Sequence, residues 1–285
     1  MSKKPEEEHD IPTTGHSWDG IEEYDNPMPR WWLWTFYATI IWGVAYTIAF
    51  PAWPLIREAT PGLLGYSTRA EVVEQIAAVE EANAEITAEL ASTELTQVSA
   101  DPELMSFAVN GGAAVFRTYC SQCHGSGAAG AVGYPNLLDD DWLWGGDLEN
   151  IYLTIAHGIR NDDLDSRYSE MPAFGEILDG QEIEQAVNYV MSLSGEPEDA
   201  SMVAAGEQVY LDNCASCHGD NGMGDIFQGA PNLADAIWLY GGDAETLRET
   251  ITYSRFGVMP PWNNRLSEAE LRAVSLYVHS LGGGE

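Results

Sequence analysis

The sequence predicts a mainly α-helical chain: one N-terminal transmembrane helix followed by two small helical domains in tandem. Three observations predict it. Trp31 to Phe50 reads WWLWTFYATIIWGVAYTIAF without a charge, a long segment between 112 and 278 is repeated, and all four cysteines fall in two Cys-x-x-Cys-His motifs. With 285 residues the chain is long enough for about two domains. A hydrophobic content of 45%, with 11% of the chain aromatic, is enough to build cores.

The first 29 residues form a polar arm, expected on the cytoplasmic side. Residues 30–53 follow as the anchor. Some 20 uncharged residues span a hydrocarbon core of roughly 30 Å as a helix. Trp31, Trp32 and Trp34 at one end and Trp53 at the other lie where interfacial aromatics belong, with Arg30 and Arg57 just outside. A cleaved signal peptide fits less well, since a polar arm precedes the segment and no small-residue cleavage site follows it. The flanking arginines nearly cancel and Lys3 and Lys4 are distant, so the positive-inside rule does not orient the helix.

Residues 54–104 read as a linker carrying a helical spacer. Thr68 with Glu71 makes a capping-box pattern. Val72, Ile76, Val79, Asn83, Ile86 and Leu90 then recur at alternating steps of four and three, a seam interrupted at Asn83. Self-pairing as a coiled coil is one reading of that stripe. Packing on a neighbouring subunit is the preferred one.

Two copies of one domain follow, 105–195 and 200–285. Gly112-x3-Phe116-x3-Cys120 has the spacing of Gly206-x3-Tyr210-x3-Cys214. Pro135-Asn136-Leu137 matches Pro231-Asn232-Leu233, and Trp142-Leu143-Trp144-Gly145-Gly146-Asp147 matches Trp238-Leu239-Tyr240-Gly241-Gly242-Asp243. Each copy reaches a Met-Pro pair, Met171-Pro172 or Met259-Pro260, and closes on a helix, 184–190 or 271–278. The first copy carries an extra polar stretch from Asn161 to Glu170, read as an acidic loop without a period.

The motifs Cys120-Ser121-Gln122-Cys123-His124 and Cys214-Ala215-Ser216-Cys217-His218 set the chemistry. Two thiols on an incipient helical turn can each add to a haem vinyl group, and the following His is then held against the iron. A single zinc site is disfavoured because Cys123 and Cys214 are too far apart for a zinc ribbon, and a redox disulfide does not call for the His. Two covalently bound haem c groups are therefore expected, with Cys120, Cys123, Cys214 and Cys217 as attachment points and His124 and His218 as axial ligands. Met171 and Met259, at matching positions and each before a Pro, are the candidates for the sixth position, where a thioether raises the potential relative to a second His. Which Met serves which haem stays open, and His157 is a rival to Met171. Met191, Met202 and Met223 read as gap fillers, and His279 as a surface residue. His9 and His16 lie on the wrong side of the membrane to reach a haem. No catalytic residue is expected in this chain.

Each copy resembles a monohaem class I cytochrome c domain. In that family a Gly in the first helix lets the last helix cross closely between aromatics, which implies Gly112 with Tyr189 and Gly206 with Tyr277. The N-terminal run Thr13-Thr14-Gly15-His16-Ser17-Trp18-Asp19-Gly20-Ile21-Glu22-Glu23, then Asn26-Pro27-Met28-Pro29-Arg30-Trp31-Trp32-Leu33-Trp34, resembles the start of the dihaem subunit III of cbb3-type cytochrome c oxidases. With the anchor and both haem domains the resemblance spans the chain. It implies an electron-transfer subunit of an oxidase complex in a bacterial inner membrane. Its partners would be the catalytic and monohaem subunits, the lipid bilayer and a periplasmic donor cytochrome c. Covalent haem attachment, which for c-type cytochromes happens outside the cytoplasmic membrane, puts the haem domains in the periplasm. Haems with His and Met on both faces leave no site for oxygen, so the chain relays electrons. A free-standing dihaem carrier is the alternative, and a dihaem peroxidase a more remote one.

The charge, −33, excludes nucleic acid as the main partner by repulsion. Eight of the 45 acids precede the anchor, leaving 37 beyond it against nine arginines and no lysine, a charge of −28. A donor cytochrome would therefore be basic.

Overall fold

The computed structural model describes residues 12–284, so that Lys3, Lys4 and His9 lie outside the described residues. The chain divides into two compact units, residues 1–82 and 83–285.

The first unit opens on a hairpin that the sequence reading did not anticipate. Strands β1 (Thr13–Trp18) and β2 (Ile21–Tyr24) pair antiparallel, with Trp18 opposite Ile21. The turn residues Asp19 and Gly20 both take positive φ, 51° and 83°. Asp-Gly is a preferred pair for such a turn, and that dipeptide was the overlooked signal. Helix α1 (Arg30–Ala49) is long and apolar enough to cross a membrane, and none of its residues is buried within the chain. Its last turn meets the following segment through stacked Tyr46 and Phe50 and the edge of Tyr66.

Helix α2 (Thr68–Ala82) is capped by Ser67, whose Oγ accepts from the Ala70 N–H, and not by Thr68, which is already helical. Val72, Ile76 and Val79 are exposed. The stripe does not continue as one helix: the chain breaks at Asn83 and resumes as α3 (Ala84–Ser92) in the second unit, where Leu90 is buried and Ile86 packs beside it. That half of the stripe faces the chain's own core, not a neighbouring subunit.

The second unit is all helical. Helix α4 (Pro102–Val115) passes through a π-turn at Phe116–Cys120 into α5 (Ser121–His124). Then come α6 (Leu148–His157), α7 (Gly180–Ser194), α8 (Val203–Asn213), α9 (Ala215–His218), α10 (Ala244–Tyr253) and α11 (Glu268–His279). Acidic caps start four of these helices. Asp101, Asp147 and Asp243 accept from first-turn N–H groups, and Asp179 forms a full capping box with Glu182. Ser267 and Glu270 do the same for α11.

The helices pair across the repeat. A Cβ on Gly112 would collide with the Ala273 carbonyl and lie 2.8 Å from Tyr277 Cβ, and one on Gly206 would collide with the Gln185 carbonyl and lie 2.9 Å from Tyr189 Cβ. Thus α4 crosses α11 and α8 crosses α7, the reverse of the pairing implied by the cytochrome resemblance. Aromatics flank both crossings, Phe116 with Tyr277 at 5.5 Å and Tyr189 with Tyr210 at 5.0 Å. The physical reason is the connection. Helices α7 and α8 follow each other through a short segment, and consecutive helices with a short link pack as antiparallel neighbours. The outer helices α4 and α11 are left to each other.

Besides the core around Leu90, two cores result, each taken from both copies. The first gathers Phe116, Ile151 and Ile155 with Trp262, Leu271, Val274 and Val278; the second gathers Phe174, Ile183, Val187 and Val190 with Tyr210, Leu247 and Ile251. Polar ties follow the same crossing. The Tyr152 hydroxyl on α6 donates to Glu268 on α11 at 2.8 Å, and Arg248 on α10 forms a two-point pair with Glu184 on α7.

Candidate cofactor sites

The π-turn before α5 widens the helix at Cys120, a placement typical of functional segments. Beyond it lies a cavity holding about 730 Å³ of empty space, part of it open to solvent. Phe116, Cys120, His124, Leu137, Trp142 and Trp144 line it from the first copy, and Met259, Val274 and Val278 from the second.

His124 Nδ1 lies 3.1 Å from the Pro135 carbonyl, and His218 Nδ1 lies 3.0 Å from that of Pro231. A carbonyl can only accept, so each Nδ1 carries the proton and Nε2 keeps its lone pair for a metal. Burial lowers the pKa of both imidazoles against the weaker opposite pull of that carbonyl, which favours the neutral, ligating form. This is the role of the repeated Pro-Asn-Leu triplet, which the sequence showed as a repeat without a task. Cys120 and Cys214 are pushed up to about 11, first by burial and then by the second thiol of each motif.

Each methionine sits beside residues of the other copy's Cys-x-x-Cys-His region. Met259 lines the cavity that contains His124. Met171 packs on the core that contains Cys214, Tyr210, Leu233 and Trp238. His157 is absent from the cavity lining and turns its Nδ1 to Asp163 Oδ1 at 3.1 Å. Among the remaining candidates, Met191 packs on the second core, Met202 Sδ accepts from Asn188 Nδ2 at 3.8 Å, and Met223 is 58% exposed and fills no gap. His279 is partly buried, because the C-terminal turn folds back with Gly284 against its ring.

The lining suits a haem. It is apolar, and it holds a buried donor with no partner, the indole N–H of Trp144, whose side chain is 7% exposed. A buried donor left unpaired is costly, and a bound group carrying carboxylates would supply an acceptor. Trp144 also reaches the other copy. Its ring packs on Gly229, and at the matching place the Tyr240 ring lies 3.1 Å from where a Cβ of Gly133 would be. Arg167 stacks on Trp144 at 5.5 Å and Arg255 on Tyr240 at 5.4 Å.

Known proteins resemble the chain along its whole length. The N-terminal domain of cytochrome oxidase-cbb3, FixP, matches residues 11–57, and cytochrome c oxidase, cbb3-type, subunit III matches 107–190 and 201–278. The chain is 62% identical to the cbb3-type cytochrome c oxidase subunit CcoP of Cereibacter sphaeroides and 55% identical to that of Rhodobacter capsulatus, covering 100% of both chains in each case. Subunit FixP of the cbb3-type oxidase of Sinorhizobium medicae is 50% identical over 99% of this chain and 98% of its own.

Proposed function

The chain belongs to the family of subunit III of cbb3-type cytochrome c oxidases, and on that premise we propose that it relays electrons from a periplasmic donor cytochrome to the oxygen-reducing subunit of its complex. The observation that carries this reading is the closure of one apolar cavity by His124 from one copy and Met259 from the other. Membership implies c-type haem; the proposal is two of them, attached at Cys120 with Cys123 and at Cys214 with Cys217. When bound, such a group supplies a one-electron ferric/ferrous couple.

The chain's own residues do the rest. His124 and His218 present Nε2, each fixed by its proline carbonyl. Met259 together with His124 would hold one haem iron, and Met171 together with His218 the other. Phe116, Ile151, Ile155 and Val274 keep water from the first site, which holds the potential up. Helix α1 anchors the chain in the inner membrane with the hairpin in the cytoplasm and the second unit in the periplasm. The acids of that unit attract a basic donor, an effect expressed mainly in the encounter rate and weakened by salt.

Replacing Cys120 and Cys123 with Ala should remove one of two covalent haem equivalents in the purified complex. Retention of both would overturn the attachment sites. Met259→Ala should open one ferrous iron to carbon monoxide and leave the other closed; if neither opens, Met259 is not a ligand.

A further inference from the structure

We propose that the polar insertion of the first copy is a clamp for the ligand loop of the second, and that Asn161 is the positioning residue that holds Met259. The inference rests on Met259 being the ligand opposite His124, and it assigns a role to a stretch that the family-level function leaves without one.

Met259 is tied to the first copy at both backbone groups. The Ile159 N–H donates to the Met259 carbonyl at 2.9 Å, and the Met259 N–H donates to the Ile159 carbonyl at 3.0 Å. Asn161 Nδ2 is a second donor to the Met259 carbonyl, at 2.8 Å, and also donates to the His157 carbonyl at 2.9 Å. One residue before Asn161, Arg160 donates from Nε to the Gly257 carbonyl at 2.8 Å and from Nη1 to the Ser169 carbonyl at 2.6 Å, and covers the Phe256 ring at 5.8 Å. The loop before Met259 is thus gripped at Phe256, Gly257 and Met259 itself.

The grip is built at some conformational cost. Arg160 sits at φ 52°, a left-handed conformation that residues bearing a Cβ rarely adopt. Gly158 takes φ 68°, and a Cβ there would collide with the Met259 carbonyl and the Asn161 amide. The insertion keeps Asn161 in place from its other side. Asn161 Oδ1 accepts from the Asp163 N–H at 2.8 Å, and Asp163 in turn accepts from Asn263 Nδ2 at 2.8 Å, four residues beyond Met259. Backbone restraint of this kind adds to what Pro260 alone supplies, so less conformational entropy would be lost when the thioether holds a haem iron.

The test is imidazole titration of the ferric, full-length protein in its complex, together with the near-infrared sulfur-to-iron charge-transfer band. Imidazole competes with Met259, so a looser loop binds it more tightly. Two variants are compared. Asn161→Ala removes the whole side chain, whereas Asn161→Asp keeps the acceptor for Asp163 and loses the donor shared by the Met259 and His157 carbonyls. Both should raise imidazole affinity at one of the two haems on the order of tenfold and weaken up to half of the charge-transfer band. If Asn161→Ala misfolds, Asn161→Asp still reads the donor. An Asn161→Asp protein with parental imidazole affinity at both haems would overturn the clamp. Met259→Ala separates the two readings: if it leaves both haems closed to imidazole, the ligand assignment fails; if it opens one and Asn161→Asp opens none, only the clamp fails.

Discussion

In the cavity with His124 the Met259 carbonyl takes two donors, the Ile159 N–H and the Asn161 amide, whereas on the core beside Cys214 the Met171 carbonyl takes the hydroxyl of Ser254 at 2.6 Å. The attachment side shows the opposite bias. Tyr210 donates its hydroxyl to the Gly219 carbonyl at 2.7 Å, directly behind His218, while the matching residue in the first core is Phe116, which has no hydroxyl to offer. Two cores of the same plan are therefore stiffened at opposite ends. The first is pinned on its methionine side and the second on its histidine side. An axial ligand that is held by more backbone bonds exchanges less readily, so the two sites should differ in their tolerance of external ligands even with the same ligand pair.

The sharpest way to break that comparison is to separate the copies. If each copy were self-sufficient, residues 83–198 would fold and keep one haem. Because α4 needs α11 and α7 needs α8, such a fragment leaves Gly112 and the Val187 face without partners. We expect it to lack cooperative unfolding in calorimetry and to yield no stable haem protein. Co-expression with residues 199–285 should restore both sites, since every missing contact lies in that piece. A fragment 83–198 that melts cooperatively with one haem would show that the crossing is not needed for stability.

The helical character, the long apolar helix and the candidate residues of each site were legible because they depend on local pattern. Cys-x-x-Cys-His and Met-Pro are contiguous, and Trp31 to Phe50 is one uncharged run. The pairing of the copies was not legible, for a reason intrinsic to repeats. Tyr189 and Tyr277 occupy equivalent positions, so Gly112 and Gly206 accept either, and only chain connection distinguishes them. The insertion was opaque for another reason. Asn161 acts through contacts about a hundred positions away, with Met259 and, by way of Asp163, Asn263, and no periodicity reports those. The hairpin, by contrast, was readable at Asp19-Gly20 and was passed over.

Gly229 and Gly133 offer a finer comparison. Both take positive φ, 59° and 82°, so alanine is strained at either. At Gly229 a Cβ would also drive into the Trp144 indole, whereas at Gly133 it would only press on Tyr240 at 3.1 Å. Gly229→Ala should cost about 2–3 kcal/mol through strain and overpacking together, and Gly133→Ala about 1 kcal/mol. Because Trp144 lines the His124 cavity, the first change should also shift the absorption of that site, although the mutated residue belongs to the other copy. Denaturant melts and the reduced spectrum check both. Equal costs with unchanged spectra would mean that the Trp144 contact is no tighter than the Tyr240 one.

The smallest effect expected concerns Asp141, beside the Trp142 that packs on the first core. Burial pushes its carboxyl up to about 6, and the charges of Asp235, Asp139 and Asp140 add to the shift. The folded protein therefore holds this proton more tightly than the unfolded chain, whose carboxyl titrates near the ordinary value of about 3.9. Between pH 4 and 6 the native state binds more protons, so this group's contribution to stability falls as pH rises through that window and is fully lost above it. The full shift would amount to about 3 kcal/mol, but the side chain is only half buried, and solvent screening reduces it to about 1 kcal/mol. Asp141→Asn should accordingly raise the melting temperature at pH 7.5 by a few degrees, change little at pH 4.5, and flatten the profile between them. Asp235 comes from the second copy, so Asp235→Asn should produce a weaker version of the same flattening by relieving its repulsion on Asp141. An Asp141→Asn protein that is less stable at pH 7.5 would place the carboxylate in a favourable contact and reverse the sign assigned to it.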